Sequence, residues 1–317
     1  MQINQVKFSK LLTEEKVFNV FAENYTQSII LWYEFQRVWY HRAITTFNDV
    51  NKFFILEYFF KKTFSSYSEH FINKSFEEFY SQESLEIEKF NIIDLAKELN
   101  FSKETVRRKL MELETAQIII KNKKNIKINF GSFLTKTEAE VKGFARLVSL
   151  FTKILYEKKY LHKIFSEKEI ELVIKENFTR YCLPFLEFQI TYSLRVRSVF
   201  KDAETWFIWN LLVYNQTLNL FKKYKNGENV GFHNFMKMLP NEHPGLNAMS
   251  ISDLSGIPRP TVLRKLNLLI KDKAVVKSQK ALYTLNEGKI LKKVEPLRLA
   301  NNKDLCSLIT KILNFII

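Results

Sequence analysis

The chain has 317 residues, of which 46% are apolar and 15% aromatic, and it carries a formal net charge of +15. That apolar content supplies a sizeable core and excludes wholesale disorder. Only 7 glycines are present, too few to favour folds built on glycine-rich nucleotide-binding turns.

Cys182 and Cys306 make neither a disulfide framework nor a metal motif, so a reducing cytosol is the simple reading. The N-terminal residues lack the apolar core of a signal peptide. The lipophilic stretches 28–35, 53–60 and 206–214 are broken by Glu34, Glu57 and Asn210, well short of the ~18 apolar residues of a membrane span. No membrane partner is expected.

In chain order, residues 13–24 and 26–47 carry apolar residues at three- and four-residue spacing and predict helices, with a further helix from about 49 to 64. Phe18, Tyr25, Trp32 and Trp39 form a heptad-spaced stripe. It reads as a helix face buried in a core or against another part of the chain, with an aromatic-lined effector pocket as the alternative. Segment 65–91 interrupts the pattern and is predicted as loop with short helical pieces.

Residues 92–110 then read as a helix-turn-helix. Ala96 is small where two helices must cross, Asn100 tolerates a left-handed turn, and Ser102 suits the N-cap of a second helix. Val106, Leu110 and Leu113 continue that helix's apolar stripe. Two β-prone runs, 118–120 and 126–128, flank a basic tip with Lys123 and Lys124 and predict a hairpin wing.

The chain then repeats itself. Residues 166–180, 183–200 and 204–224 predict helices that mirror the first three. Ser166 and Glu169 make a capping box, and Pro184 fits a first helical turn. Phe178, Tyr181, Phe185, Phe188 and Tyr192 repeat the aromatic stripe. Segment 225–247, with Gly227, Gly231, Pro240, Pro244 and Gly245, is predicted as loop with short helical pieces. A second helix-turn-helix follows, with Ser252 small, Gly256 at the turn, and Pro258 and Pro260 in the first turn of the next helix. The runs 274–276 and 281–283 predict a second wing with Lys277 and Lys280.

Residues 105–110 and 261–266 agree at five of six positions at an offset of 156, and 147–155 and 305–313 at seven of nine at 158. At 156, Tyr25, Ile29 and Trp32 fall on Tyr181, Phe185 and Phe188. The expected fold is mainly α: two tandem winged helix-turn-helix domains with short β-hairpin wings and long flanking helices, an internal duplication of halves 1–158 and 159–317.

Charge locates the expected function. Residues 101–130 hold eight Lys/Arg and three Glu, and residues 257–289 hold eight Lys/Arg, one Asp and one Glu. These stretches carry +11 of the +15, the footprint of a nucleic-acid-binding surface. The exposed face of the second helix enters the major groove in such motifs. The candidates there are Lys103, Thr105, Arg107 and Arg108 in the first copy, and Arg259, Thr261, Arg264 and Asn267 in the second. Lys123, Lys124, Lys277 and Lys280 on the wings suit phosphate. The expected partner is double-stranded DNA. Leu263 stands where the first copy has Arg107, so the two half-sites need not be identical.

On these residues the chain resembles winged-helix bacterial transcriptional regulators, most nearly in plan the multiple-antibiotic-resistance regulator (MarR) family. Tyr283-Thr284-Leu285-Asn286-Glu287-Gly288 is similar to the end of that family's wing and the start of its next helix. The resemblance implies dimerising long helices, here 26–47 with 147–155 and their counterparts with 305–313. The chain would then be a built-in pseudo-dimer or a homodimer, cytoplasmic and nucleoid-associated, with any effector unnamed.

The function expected is sequence-specific DNA-binding transcriptional regulation. The alternatives are a plasmid-type replication initiator with tandem winged helices and a non-enzymatic winged-helix protein-interaction scaffold. No catalytic activity, metal or cofactor is expected. The histidines at 41, 70, 162, 233 and 243 have no metal-ligand spacing, and no phosphate loop or nucleophile elbow appears.

Overall fold

The Thr13 hydroxyl accepts the Lys16 backbone N–H and caps α1 (Glu14–Glu23). Asn24 then breaks the chain, donating its side-chain amide to the Val20 carbonyl at 2.9 Å, before α2 (Tyr25–Phe47) begins. Asp49 caps α3 (Val50–Glu69). A Ser75–Glu78 capping box starts α4 (Phe76–Tyr80), which leads into β1 (Ser84–Glu88). Next come α5 (Ile92–Glu98), α6 (Lys103–Thr115), β2 (Ile119–Lys121), β3 (Asn125–Asn129) and α7 (Glu138–Glu157).

The second series is α8 (Glu167–Glu176), α9 (Phe178–Phe200), α10 (Ala203–Lys223), α11 (Phe232–Met238), a 3-10 turn at Leu239–Asn241, α12 (Ala248–Ser255), α13 (Arg259–Lys271), β4 (Val275–Lys277), β5 (Tyr283–Leu285) and α14 (Lys289–Ile316). These coordinates are a computed structural model that describes residues 11–88, 90–122, 125–132, 137–200, 202–223, 230–242 and 244–317. Among the described residues, no helix is long and apolar enough to cross a membrane.

Three local expectations are corrected. Pro184 lies inside α9, not in its first turn. The helix boundary sits earlier, at Asn177, which donates to the Val173 carbonyl at 3.2 Å as Asn24 does to Val20. The first sheet has three strands, in the order β1-β3-β2; β1 arises from the segment expected to be loop, and pairs antiparallel with β3 through Leu85↔Ile128 and Ile87↔Ile126. β5, expected from residue 281, begins at Tyr283 because Ala281 takes a left-handed backbone (φ 55°) inside the 278–282 turn. In that half, a single antiparallel bridge, Leu246↔Tyr283, occupies the outer edge of β5.

α2 and α9 both have 23 residues, and their starts lie 153 apart. That is three residues less than the offset read from the aromatic stripes. A three-residue slip turns a helix by about 300° and returns nearly the same face, so aromatic periodicity alone cannot tell the two registers apart.

At 153 the packing becomes reciprocal. The Trp32 and Phe188 rings meet at 5.4 Å and those of Phe35 and Phe185 at 5.6 Å. Trp39 meets Phe185 at 5.1 Å, and Tyr192 meets Trp32 at 5.6 Å. Further out, the Thr26 hydroxyl donates to the Val230 carbonyl, while Thr179 takes the same role toward Lys74, its backbone N–H donating to the Lys74 carbonyl at 3.2 Å. The stripe Tyr25, Trp32, Trp39, Phe178, Tyr181, Phe185, Phe188 and Tyr192 is buried throughout. Aromatic pairs of this geometry contribute roughly 0.5–1.5 kcal/mol each beyond their area.

Candidate nucleic-acid interface

The first helix-turn-helix is set by its caps. The Asn91 side chain accepts the Ile93 N–H to start α5, and Leu95 and Ala96 are buried where α6 crosses. Asn100 adopts φ 50°, and the Phe101 N–H donates to the Ala96 carbonyl at 2.9 Å, closing the turn. Ser102 accepts the Thr105 N–H at 3.0 Å and starts α6, which buries Val106, Leu110 and Leu113.

Its outer face leaves Lys103, Arg107 and Arg108 exposed, the two arginine side chains each at 60%. Arg107 is only loosely paired with Glu104 at 4.0 Å, and Arg108 with Glu112 at 3.4 Å. Thr105 is half-buried, and its hydroxyl lies 2.9 Å from that of Ser102, so it serves the cap.

α12 and α13 reproduce the arrangement with different residues. Asn247 accepts the Ser250 N–H, and Gly256 takes φ 73° at the turn. A side chain at Gly256 would also press on Thr45, whose Cγ2 lies 2.8 Å from the Cβ position. Pro258 is the N-cap and Pro260 lies in the first turn of α13, where a missing N–H costs little. Val262, Leu266 and Leu269 are buried, while Arg259, Arg264 and Asn267 are exposed and Thr261 is half-buried. Arg264 has no acidic partner among the described residues. Lys277 lies over the Tyr283 ring at 5.8 Å, and Lys280 is exposed. Lys123 and Lys124 lie outside the described residues, as does His243.

Two lysines that count toward the basic stretches do not face outward. Lys109 and Lys265 are 5% and 6% exposed. The Lys109 ammonium lies 2.5 Å from Asp49, the cap of α3, and 2.7 Å from Glu112. The Lys265 ammonium lies 2.7 Å from Asp202, which accepts the Thr205 N–H at the start of α10. Each ion pair ties one of these helices, α6 or α13, to the start of a long helix. Burial pulls the Lys109 pKa down, but its hydrogen bonds to Asp49 and Glu112 outweigh this and hold it above its ordinary value. The Glu112 carboxyl is held low, chiefly by its bond from Lys109. The signal for these residues was present in the repeat, where Lys109 and Lys265 are identical positions, but exposure could not be read from it.

The turns are also held from across the molecule. Arg197 on α9 donates to the Leu99 carbonyl at 2.9 Å and lies over the Phe101 ring at 4.4 Å. His41 on α2 contacts the Leu254 carbonyl at 3.1 Å through Nδ1. α9 thus supports the turn between α5 and α6, and α2 the turn between α12 and α13. Among the described residues, no group of three or more His, Cys, Asp or Glu is placed to hold a metal ion.

No curated protein and no solved structure matches the chain. Residues 85–128, from β1 through β3, match the model of a DeoR-like helix-turn-helix domain, and a match of that kind supports a DNA-binding transcriptional regulator.

Proposed function

We propose that this chain is a sequence-specific regulator that binds double-stranded DNA as an internal pseudo-dimer. Two winged helix-turn-helix modules, 92–130 and 248–288, each present their second helix to the major groove. The carrying observation is that Arg108 and Arg264 occupy matched, exposed positions on two helices that are clamped by equivalent buried lysine–aspartate pairs. The reciprocal packing of α2 and α9 supports a two-fold relation between the halves 1–158 and 159–317.

In this reading Lys103, Arg107, Arg108, Arg259, Arg264 and Asn267 reach base edges or nearby phosphates, and Lys277 and Lys280 meet phosphate. Thr105 and Thr261 sit half-buried at the helix starts, Thr105 bonded to the Ser102 cap. Recognition helices related by a two-fold axis read half-sites about 34 Å apart along the duplex. Leu263 in place of Arg107 makes the half-sites unequal.

The test is selection of bound duplexes from a random library by the full chain, followed by affinity measurements at several salt concentrations. The expected motif has two related, non-identical half-sites one helical turn apart. Affinity should fall with a log–log slope of roughly −0.9 per neutralised phosphate. Absence of a motif together with a flat salt dependence would overturn the proposal.

A further inference from the structure

A cavity lies between the two series of helices, away from the helix-turn-helix faces, walled by side chains such as Phe35, Trp39, Phe53, Phe144, Phe178 and Phe185. Glu57 on α3 lines it and is 2% exposed. Its Oε1 accepts the Trp39 indole N–H at 3.0 Å, while its Oε2 has no hydrogen-bond partner. A buried carboxyl oxygen left unmatched in an aromatic chamber is costly unless a ligand completes it.

The other ionisable groups at these walls set the sign of that ligand. Arg42 is bound to Glu140, with Nε 2.9 Å from its carboxylate, and lies over the Trp39 ring at 5.6 Å. Two carboxyl groups therefore face one guanidinium. Tyr80 is engaged by Thr137 at 2.8 Å, and burial pushes the Cys182 thiol far above its ordinary range. Burial likewise raises Tyr181, with nearby Arg180 acting against it. These three stay neutral at physiological pH. Aromatic faces add their own attraction for cations.

The fold does not require an acid at this place. The position 153 residues later is Asn210 on α10, which lines a second aromatic-walled cavity with Trp206 and Trp209. There the unmatched buried groups are donors: the Asn210 amide, the Trp209 indole N–H and one Arg298 nitrogen. The carboxyl at Glu57 is thus a feature of one cavity and not a demand of the helix packing.

We propose that the cavity beside Glu57 binds a lipophilic organic monocation, with its apolar body among the aromatic rings and its positive centre against the free carboxyl oxygen. In the empty protein, burial pushes the Glu57 carboxyl up to about 8, so it is mostly protonated at neutral pH. A bound cation supplies the counter-charge and releases that proton. The site stands independently of DNA binding, because it is read by ligand uptake alone.

The experiment uses the full chain and three near-isosteric probes: benzyltrimethylammonium, uncharged neopentylbenzene and phenylmethanesulfonate. Binding is followed by ligand-observed NMR and, for the cation, by calorimetry in buffers of different ionisation enthalpy. The expected result is saturable 1:1 uptake of the cation, at least tenfold tighter than its uncharged isostere, with no uptake of the sulfonate and with proton release at pH 7. Glu57→Gln mimics the protonated carboxyl and should unfold no earlier than the parent; it should lose cation binding tenfold or more and release no proton. Equal affinity for the cation and its uncharged isostere, or unchanged cation binding by a folded Glu57→Gln protein, would show that Glu57 is only a protonated core group.

Discussion

Gln36 on α2 and Gln189 on α9 bond to each other through both halves of their amides. The Gln36 Nε2 donates to the Gln189 Oε1 at 3.0 Å, and the Gln189 Nε2 donates back to the Gln36 Oε1 at 3.2 Å. Both side chains are fully buried. A residue that meets its own counterpart 153 positions later marks a local two-fold axis. One helical turn further on, Tyr40 and Ser193, also 153 apart, bond at 2.8 Å.

The paired amides predict a non-additive stability cycle. Gln36→Leu or Gln189→Leu alone leaves one buried amide unmatched and should cost about 1–3 kcal/mol. The double substitution removes both polar groups and should cost less than the sum of the singles. Urea denaturation of the four proteins measures the coupling, and simple additivity would contradict the pairing.

The lysine clamps predict an asymmetric response of a similar kind. Lys109→Met strands the Asp49 carboxylate beside a buried apolar face and should destabilise by about 3–5 kcal/mol, while joint removal of both charges should cost less. Lys265→Met should cost less, because the Asp202 side chain it leaves behind is 42% exposed and water can take the lysine's place. Exposed Lys103→Met should stay within about 0.5 kcal/mol. Denaturant midpoints separate a structural clamp from an exposed lysine.

Glu57 predicts how stability changes with pH. Its folded value, about 8, lies above that of an unfolded glutamate, about 4.5. Below the lower value both states are protonated, and this group contributes no pH dependence. Between the two the unfolded chain ionises first, so stability falls as pH rises, and above the upper value the loss is complete. Glu57→Gln removes this loss. Its advantage over the parent in thermal unfolding should therefore grow between pH 5 and pH 8.5, by on the order of a few kcal/mol. A difference that stays constant across that range would contradict the raised value.

Much of this architecture was legible because short-range chemistry announces itself. Ser102, Asn100, Gly256 and the Ser166–Glu169 box are local signals, and each performs locally in the structure. β1 was not legible, because Leu85 and Ile87 alternate over too few residues to stand apart from a loop until β3 pairs with them. Lys109 and Lys265 look like the solvent-facing lysines around them, and only the distant Asp49 and Asp202 reveal that they are buried. The 153-residue register was hidden for a different reason: a three-residue slip displaces a helix face by only about 60°, and only pairs between α2 and α9 such as Gln36–Gln189 select one register.

Arg108 and Arg264 give the most direct test of the proposed DNA-binding surface, because their environments differ in one respect. Arg108 lies 3.4 Å from Glu112, which also binds Lys52 and Lys109, whereas Arg264 has no acidic partner among the described residues. Arg108 must give up that contact to reach DNA, while Arg264 is already free. Arg264→Ala should therefore weaken binding to the selected duplex more than Arg108→Ala does. A contact to a guanine edge should cost about 1–3 kcal/mol and relax preference at a single position; a phosphate contact should weaken all sequences alike and reduce the salt slope by about one. Both variants should keep the parent's thermal transition, since each side chain is largely exposed. Fluorescence anisotropy across a salt series, on the selected duplex and on its single-base variants, distinguishes these outcomes. Unchanged affinity in the double variant Arg108→Ala/Arg264→Ala would remove α6 and α13 from the DNA-binding surface.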